Sequence, residues 1–158
     1  MNSQSFMIMD IIRGTTVDGP GFRTAIYLSG CLHDCPGCHN PQSHDPNAGV
    51  KMSLREVLEI VKEEDFDVTL TGGDPLFNPE SVLVLAKAIR EEGYGIWLYT
   101  GYTIEQIYDS PRLAAILPFL DAVVDGPYLE GLRDPDLKFR GSSNQRIIYK
   151  PFNLAEKR

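Results

Sequence analysis

Long apolar runs are missing from this chain. No stretch approaches the ~20 residues a membrane helix requires, so no spanning segment is expected. Positive charge is in deficit as well. Lys and Arg total 15 against 22 Asp and Glu, a formal net charge of −7. A general affinity for DNA or RNA needs a basic face, so nucleic acid is not an expected partner. The opening residues hold neither the basic segment nor the apolar core of a secretory leader, which makes the cytoplasm the expected compartment. Low-complexity segments, charge blocks and linkers are absent too. A length of 158 residues suits one domain and is short for two, so a single domain over 1–158 is expected.

Several catalytic signatures are also lacking. There is no GxGxxG, no Walker loop and no HExxH, and no Ser/His/Asp or paired-carboxylate hydrolase set emerges. Cysteine is scarce, with three in the chain, all between Cys31 and Cys38. An odd, clustered set cannot close a disulfide framework. It points instead to a metal or redox role.

What the chain does contain is a rhythm of strand, loop and helix. Candidate strands lie at 24–29, 68–71, 96–100, 122–125 and 147–150, with a further edge strand within 6–13. The five are short, rich in β-branched or aromatic residues, and most end at Gly, as buried parallel strands do. Trp97 and Tyr99 read as core residues on alternate faces of the third. Ser53-Leu-Arg-Glu56 and Thr103 to Gln106 match capping boxes. Leu54, Val57, Leu58 and Val61 make one apolar helix face, and Val82, Leu85, Ala86 and Ile89 make another after the Asn78-Pro79 start. Strands separated by helices predict right-handed crossovers and an α/β fold: an open, partial β/α barrel, or an open doubly wound sheet, of five to six mostly parallel strands. Ligands then bind beyond the carboxyl ends of the strands.

The first of those ends runs into Cys31-Leu-His-Asp-Cys35-Pro-Gly-Cys38. Thiolates are soft ligands suited to iron–sulfur clusters, Zn or Cu(I). A cubane has four irons, so three cysteines leave one iron open to bind substrate. A structural Zn site completed by His33, His39 or His44 is the competing reading, although such sites usually pair distant CxxC units. The next strand ends in Thr71-Gly72-Gly73-Asp74-Pro75, where two glycines let the backbone approach a ligand closely. Thr100-Gly101-Tyr102 and Asp125-Gly126-Pro127 end the following two. Phe139 to Arg146 gathers donors in one loop, which turn chemistry explains about as well as binding does.

The cysteine triplet after a strand, followed by a Gly-Gly-Asp-Pro strand end, resembles the radical S-adenosylmethionine superfamily. Further motifs narrow the resemblance: Asp18-Gly-Pro-Gly-Phe-Arg23, Ser29-Gly-Cys31, Cys35-Pro-Gly-Cys38-His39-Asn40, Gly72-Gly-Asp-Pro75, Thr100-Gly-Tyr102, Val124-Asp-Gly126 and Phe139-Arg-Gly-Ser-Ser-Asn-Gln145. Together they are similar to the activating enzymes of anaerobic ribonucleoside-triphosphate reductase. The position before the last cysteine, usually aromatic in the superfamily, is Gly37, as in that subgroup.

The resemblance implies an enzyme, a radical S-adenosylmethionine oxidoreductase, with two cofactors, a [4Fe–4S] cluster and S-adenosylmethionine. Cys31, Cys35 and Cys38 would ligate three irons, and the methionyl group of S-adenosylmethionine the fourth. Gly37, Cys38 and His39 would lie along the adenine, and Gly72, Gly73 and Asp74 would hold the methionyl end. No catalytic side chain beyond the cluster is implied. Electrons from a small reduced donor, flavodoxin or ferredoxin, would break the C5′–S bond to give a 5′-deoxyadenosyl radical. That radical would leave a glycyl radical on the large subunit of the partner reductase. The alternatives are an activase of another glycyl-radical enzyme such as pyruvate formate-lyase, a non-catalytic zinc module, and an electron-transfer protein. Arg140 and Arg146 are further candidates for contact with the S-adenosylmethionine carboxylate or the reductase.

Overall fold

A computed structural model describes residues 5–30, 45 and 49–152 of the chain. Its strands are β1 (Ser5–Thr15), β2 (Arg23–Leu28), β3 (Val50–Ser53), β4 (Asp67–Gly72), β5 (Ile96–Tyr99), β6 (Ala122–Asp125) and β7 (Arg146–Tyr149). Its α-helices are α1 (Leu54–Glu64), α2 (Pro79–Glu91), α3 (Ile104–Tyr108) and α4 (Pro111–Ala114). The strands form one seven-stranded sheet in the order β3-β1-β2-β4-β5-β6-β7. The pairs β2–β4, β4–β5 and β5–β6 are parallel, each joined through helices. β1 pairs antiparallel with β2 and β3, and β7 pairs antiparallel with β6. The sheet is open, with β3 and β7 at its edges. Among the described residues no helix is long and apolar enough to cross a membrane.

Two expectations need correction. The strand near 147–150 does not join the parallel set. The chain from β6 reaches it through a loop with one 3-10 turn, Glu130–Leu132, and no crossover helix, which suits an antiparallel neighbour. Trp97 and Tyr99 share a face, because side chains alternate with a period of two. Both belong to a small cluster with Ala122, Val124, Phe139 and Ile147. β3 is an addition that the sequence pattern does not announce, since its residues are exposed or half-buried.

The helices cover one face of the sheet. Ile26, Leu28, Val68, Leu70, Ile96, Leu98 and Val123 pack there against Val57 and Val61 of α1, Val82, Leu85 and Ile89 of α2, and Ile104 and Ile107 of α3. Burying one such side chain contributes roughly 1.5–3 kcal/mol. The expected capping boxes form. Ser53 Oγ accepts from the Glu56 amide at 3.1 Å while Glu56 accepts from the Ser53 amide at 2.9 Å. Thr103 and Gln106 repeat the arrangement at the start of α3. Asn78 caps α2 with Pro79 in its first turn, and Gly93, at φ +96°, follows its end. Among the described residues no helix lies over the opposite face. Loops cover it instead, and they carry the polar residues described next.

Candidate functional site

The parallel strands β2, β4, β5 and β6 bring their carboxyl ends to one rim. β2 leads into Ser29 and Gly30, beyond which residues 31–44 lie outside the described part. Cys31, Cys35, Gly37, Cys38 and His39 therefore fall there, as do His33 and His44. Gly72 and Gly73 close β4 directly beside β2, with Leu28 opposite Gly72 in the parallel register. The Gly73 amide donates to Leu28 O at 2.8 Å, and the Asp74 amide donates to Gly30 O at 2.7 Å. Gly72 sits at φ +116°, and a Cβ there would stand 2.3 Å from Leu28 O. Only glycine fits so close a backbone crossing. The glycine turn is thus stitched to Gly30, the residue that precedes Cys31 in the sequence.

Asp74 serves that place indirectly. Its side chain is buried, with Oδ1 accepting from the Leu76 amide at 2.9 Å. Oδ2 accepts from Thr100 Oγ1 at 3.0 Å and the Gly101 amide at 2.9 Å. It straps the end of β4 to the end of β5. Asp125 does the same one strand further on. Fully buried, it accepts from the Ile104 amide at 2.8 Å and from both the backbone and guanidinium of Arg146. Arg146 also reaches Glu105, and its hydrogen bonds to Glu105 and Asp125 raise its pKa further above the ordinary arginine value. The guanidinium of Arg146 is therefore committed to the rim.

The loops on the helix-free face are equally well fastened. In the 16–22 loop, Asp18 O accepts from Thr69 Oγ1 and Asp18 Oδ2 accepts from Tyr27 Oη at 3.0 Å. Arg23, itself buried, donates to Thr69 Oγ1, Val68 O and Pro20 O and lies over Trp97 at 5.7 Å. In the 126–145 loop, Gln145 Oε1 accepts from the Gly141 and Ser142 amides, and Asn144 donates to Pro127 O. The polar cluster of that loop mostly holds the loop itself. Arg140 is the exception: one terminal nitrogen donates to Gln145 O, while Nε has no partner.

A cavity of about 230 Å³ lies between these two loops, lined by Val17, Asp18, Tyr99, Leu137, Phe139, Arg140 and Gly141. Among the described residues three buried side-chain polar atoms lack a hydrogen-bond partner: Thr24 Oγ1, Tyr99 Oη and Arg140 Nε. Two of the three belong to residues lining this cavity. A buried group left so costs about 1–3 kcal/mol. Burial raises the Asp18 carboxyl above its ordinary value, opposed by the Tyr27 hydrogen bond. Burial first, then the Asp18 charge, pushes the Tyr27 and Tyr99 hydroxyls well above the usual tyrosine range, so both keep their protons. Asp18 opens the Asp18-Gly-Pro-Gly-Phe-Arg23 motif quoted above without an assigned role, and Tyr99 reads in the sequence as a core residue. The signal available was the Gly19 and Gly21 spacing, which lets the loop fold back over the sheet.

Residues 17–148 match the family model described as a 4Fe-4S single cluster domain, which places the chain among single-cluster iron–sulfur proteins and displaces the zinc reading. The anaerobic ribonucleoside-triphosphate reductase-activating protein of Vibrio cholerae is 34% identical over 157 residues, covering 93% of this chain and 97% of that one. The protein of the same name in Escherichia coli K12 matches to the same extent, and that of Enterobacteria phage T4 is 35% identical over 139 residues, 83% and 86% of the two chains. The chain belongs to the family of anaerobic ribonucleoside-triphosphate reductase-activating proteins. Among solved structures, QueE from Escherichia coli aligns with a TM-score of 0.54 at 17% identity over 63% of this chain and 53% of that one. That likeness is one of fold.

Proposed function

We propose that this protein activates anaerobic ribonucleoside-triphosphate reductase through a [4Fe–4S] cluster and S-adenosylmethionine, as one radical S-adenosylmethionine domain spanning 1–158. The observation that carries the reading is the 2.7 Å bond from the Asp74 amide to Gly30 O, which joins the glycine turn to the threshold of the cysteine motif. The donor chemistry suits the group: three soft thiolates leave one iron of a cubane for an outside ligand. Gly72, whose side-chain place is filled by the Leu28 backbone, lets the glycine turn lie directly against the end of β2. Cys31, Cys35 and Cys38 would hold the cluster, Gly37, Cys38 and His39 would flank the adenine, and Gly72 and Gly73 would meet the methionyl group through backbone atoms. Asp74 acts here as a strap behind that turn. When bound, the cluster and S-adenosylmethionine supply reductive C5′–S cleavage to methionine and a 5′-deoxyadenosyl radical, which takes a hydrogen atom from a glycine of the reductase.

The chain's own contribution is placement. In the proposed reading the open sheet acts as a partial barrel that would hold the cluster at the carboxyl ends of its parallel strands. A small reduced protein such as flavodoxin or ferredoxin would provide the electron, and the cytoplasm is the compartment proposed. The test is anaerobic reconstitution with iron and sulfide, reduction, and assay for 5′-deoxyadenosine and for a glycyl radical on the reductase. Cys35→Ala is expected to abolish both products. Product formation in that variant, or bound zinc with no iron in the wild type, would overturn the reading.

A further inference from the structure

We propose that Phe77 is a positioning residue for the iron–sulfur cluster: its ring fixes Gly30, the point from which the chain enters Cys31, and keeps water from it. The proposal rests on the cluster assignment in the activase reading above. Its starting observation is steric. Gly30 is buried, at φ +98°. A Cβ there would stand 2.6 Å from Phe77 Cδ2 and 2.9 Å from Cγ and Cε2, so the ring fills the place a side chain would take.

Local sequence sets this contact up. Pro75–Phe77 is a 3-10 turn capped by Asp74, with Pro75 in its first position and the Phe77 amide donating to Asp74 O at 2.9 Å. Residues three apart in such a turn stack on one side. Asp74 and Phe77 therefore meet Gly30 together, one through the 2.7 Å bond from its amide to Gly30 O, the other through its ring. Pro75 and Leu76 between them are buried and anchor the turn. Gly30 is thus held both at its carbonyl and at its Cα.

The surroundings give the ring a second task. Leu76 is 1% exposed, whereas Phe77 is only half-buried. It lines a cavity of about 190 Å³ with Phe6, Leu28, Asn78 and Val82. Phe6, Leu28 and Val82 belong to the main core, which puts this space on the helix-covered side of the sheet. It has room for on the order of six waters at ~30 Å³ each. The ring borders that space and touches Gly30. Solvent access and dielectric around an iron–sulfur site tune its potential. Water favours the more negative, reduced state of a cluster, so an apolar ring that excludes it holds the potential low. A low potential makes the reduced cluster a stronger electron donor.

The test uses the whole chain, reconstituted anaerobically with iron and sulfide, and reads three properties without turnover. These are iron per chain, the cluster's midpoint potential by EPR-monitored titration, and the rate of iron loss to a chelator. Phe77→Ala is expected to move the potential to a more positive value. It is also expected to speed iron loss on the order of tenfold, the size usual when the shell around a metal site is damaged. Phe77→Gln keeps much of the volume but brings in a polar end, and carries the same expected shift if the alanine variant does not fold. Phe77→Leu refills the space with apolar atoms and is expected to recover most of both properties. Val82→Ala, in the same lining and 2% exposed, is expected to lower the urea midpoint while potential and iron loss stay as in wild type. Wild-type potential and iron loss in Phe77→Ala and Phe77→Gln overturn the proposal. An equal shift in Val82→Ala overturns it too, because any loosened packing would then have the same effect. A leucine variant as altered as the alanine one does so as well. The activase reading fails separately, if the wild-type protein binds no iron.

Discussion

Polar groups are buried in two regions of this molecule, and the two are built on opposite plans. At the strand-end rim, Asp74 and Asp125 are buried acceptors whose oxygens are engaged by Leu76, Thr100, Gly101, Ile104 and Arg146. On the helix-free face, Tyr99 Oη and Arg140 Nε are buried donors with nothing to donate to. A satisfied network rigidifies what it joins, and an unsatisfied one is strained until something completes it. The rim is scaffold, fixing the spacing between glycine turn, β5 and β6. The loops of the helix-free face are fastened to the sheet, yet among the described residues two of their neighbouring donors stay unpaired.

Undoing the rim should therefore cost stability. Gly72→Ala is the severest case, because φ +116° and a Cβ 2.3 Å from Leu28 O leave no room. It is expected to cost at least ~3 kcal/mol, read from the urea midpoint, and a wild-type midpoint would mean the turn is not stitched to β2. Asp125→Ala comes next at roughly 2–4 kcal/mol, since it strands the Ile104 amide and one side of the Arg146 guanidinium. Amide exchange at Ile104 should accelerate with it; unaltered protection there would show that another group caps α3. Asp74→Asn is milder. An amide nitrogen cannot accept, so either Leu76 or the Thr100–Gly101 pair loses its partner, at about 1–2 kcal/mol by calorimetry. A stability equal to wild type would argue that Asp74 is not the strap between β4 and β5.

How far these regions were legible in the sequence follows from the range of the contacts that make them. Capping at Ser53 and Thr103 is decided within four residues, and both boxes stand as read. The parallel strands are short apolar runs closed by turn residues, which is a local signal as well. β3 escaped because Val50–Ser53 is an edge strand with exposed or half-buried residues, a strand only by virtue of its pairing with β1. β7 looked like its parallel neighbours, and only the missing crossover helix betrays its direction. The cysteine triplet stands out by its spacing, and its residues lie outside the described part. Two partners of Asp74, Thr100 and Gly101, lie 26 and 27 residues away, and no periodicity links them. Tyr99 was misplaced for a simpler reason: the period of two puts it on Trp97's face, toward the cavity.

The smallest effect concerns the same cavity and has a sign set by linkage. Folding raises the Asp18 carboxyl above its ordinary value of 3.8, mainly through burial. Below that value the group is protonated both folded and unfolded, and it contributes no difference. As pH climbs above it the unfolded chain gives up its proton first, so folding stability declines until pH passes the folded value. Asp18→Asn keeps an oxygen for Tyr27 Oη and removes this decline. The variant should match or fall slightly below wild type in acid and gain on it toward neutral pH, by less than the Asp74→Asn loss. Denaturant midpoints across that range check it; a relative gain on acidification would reverse the assignment.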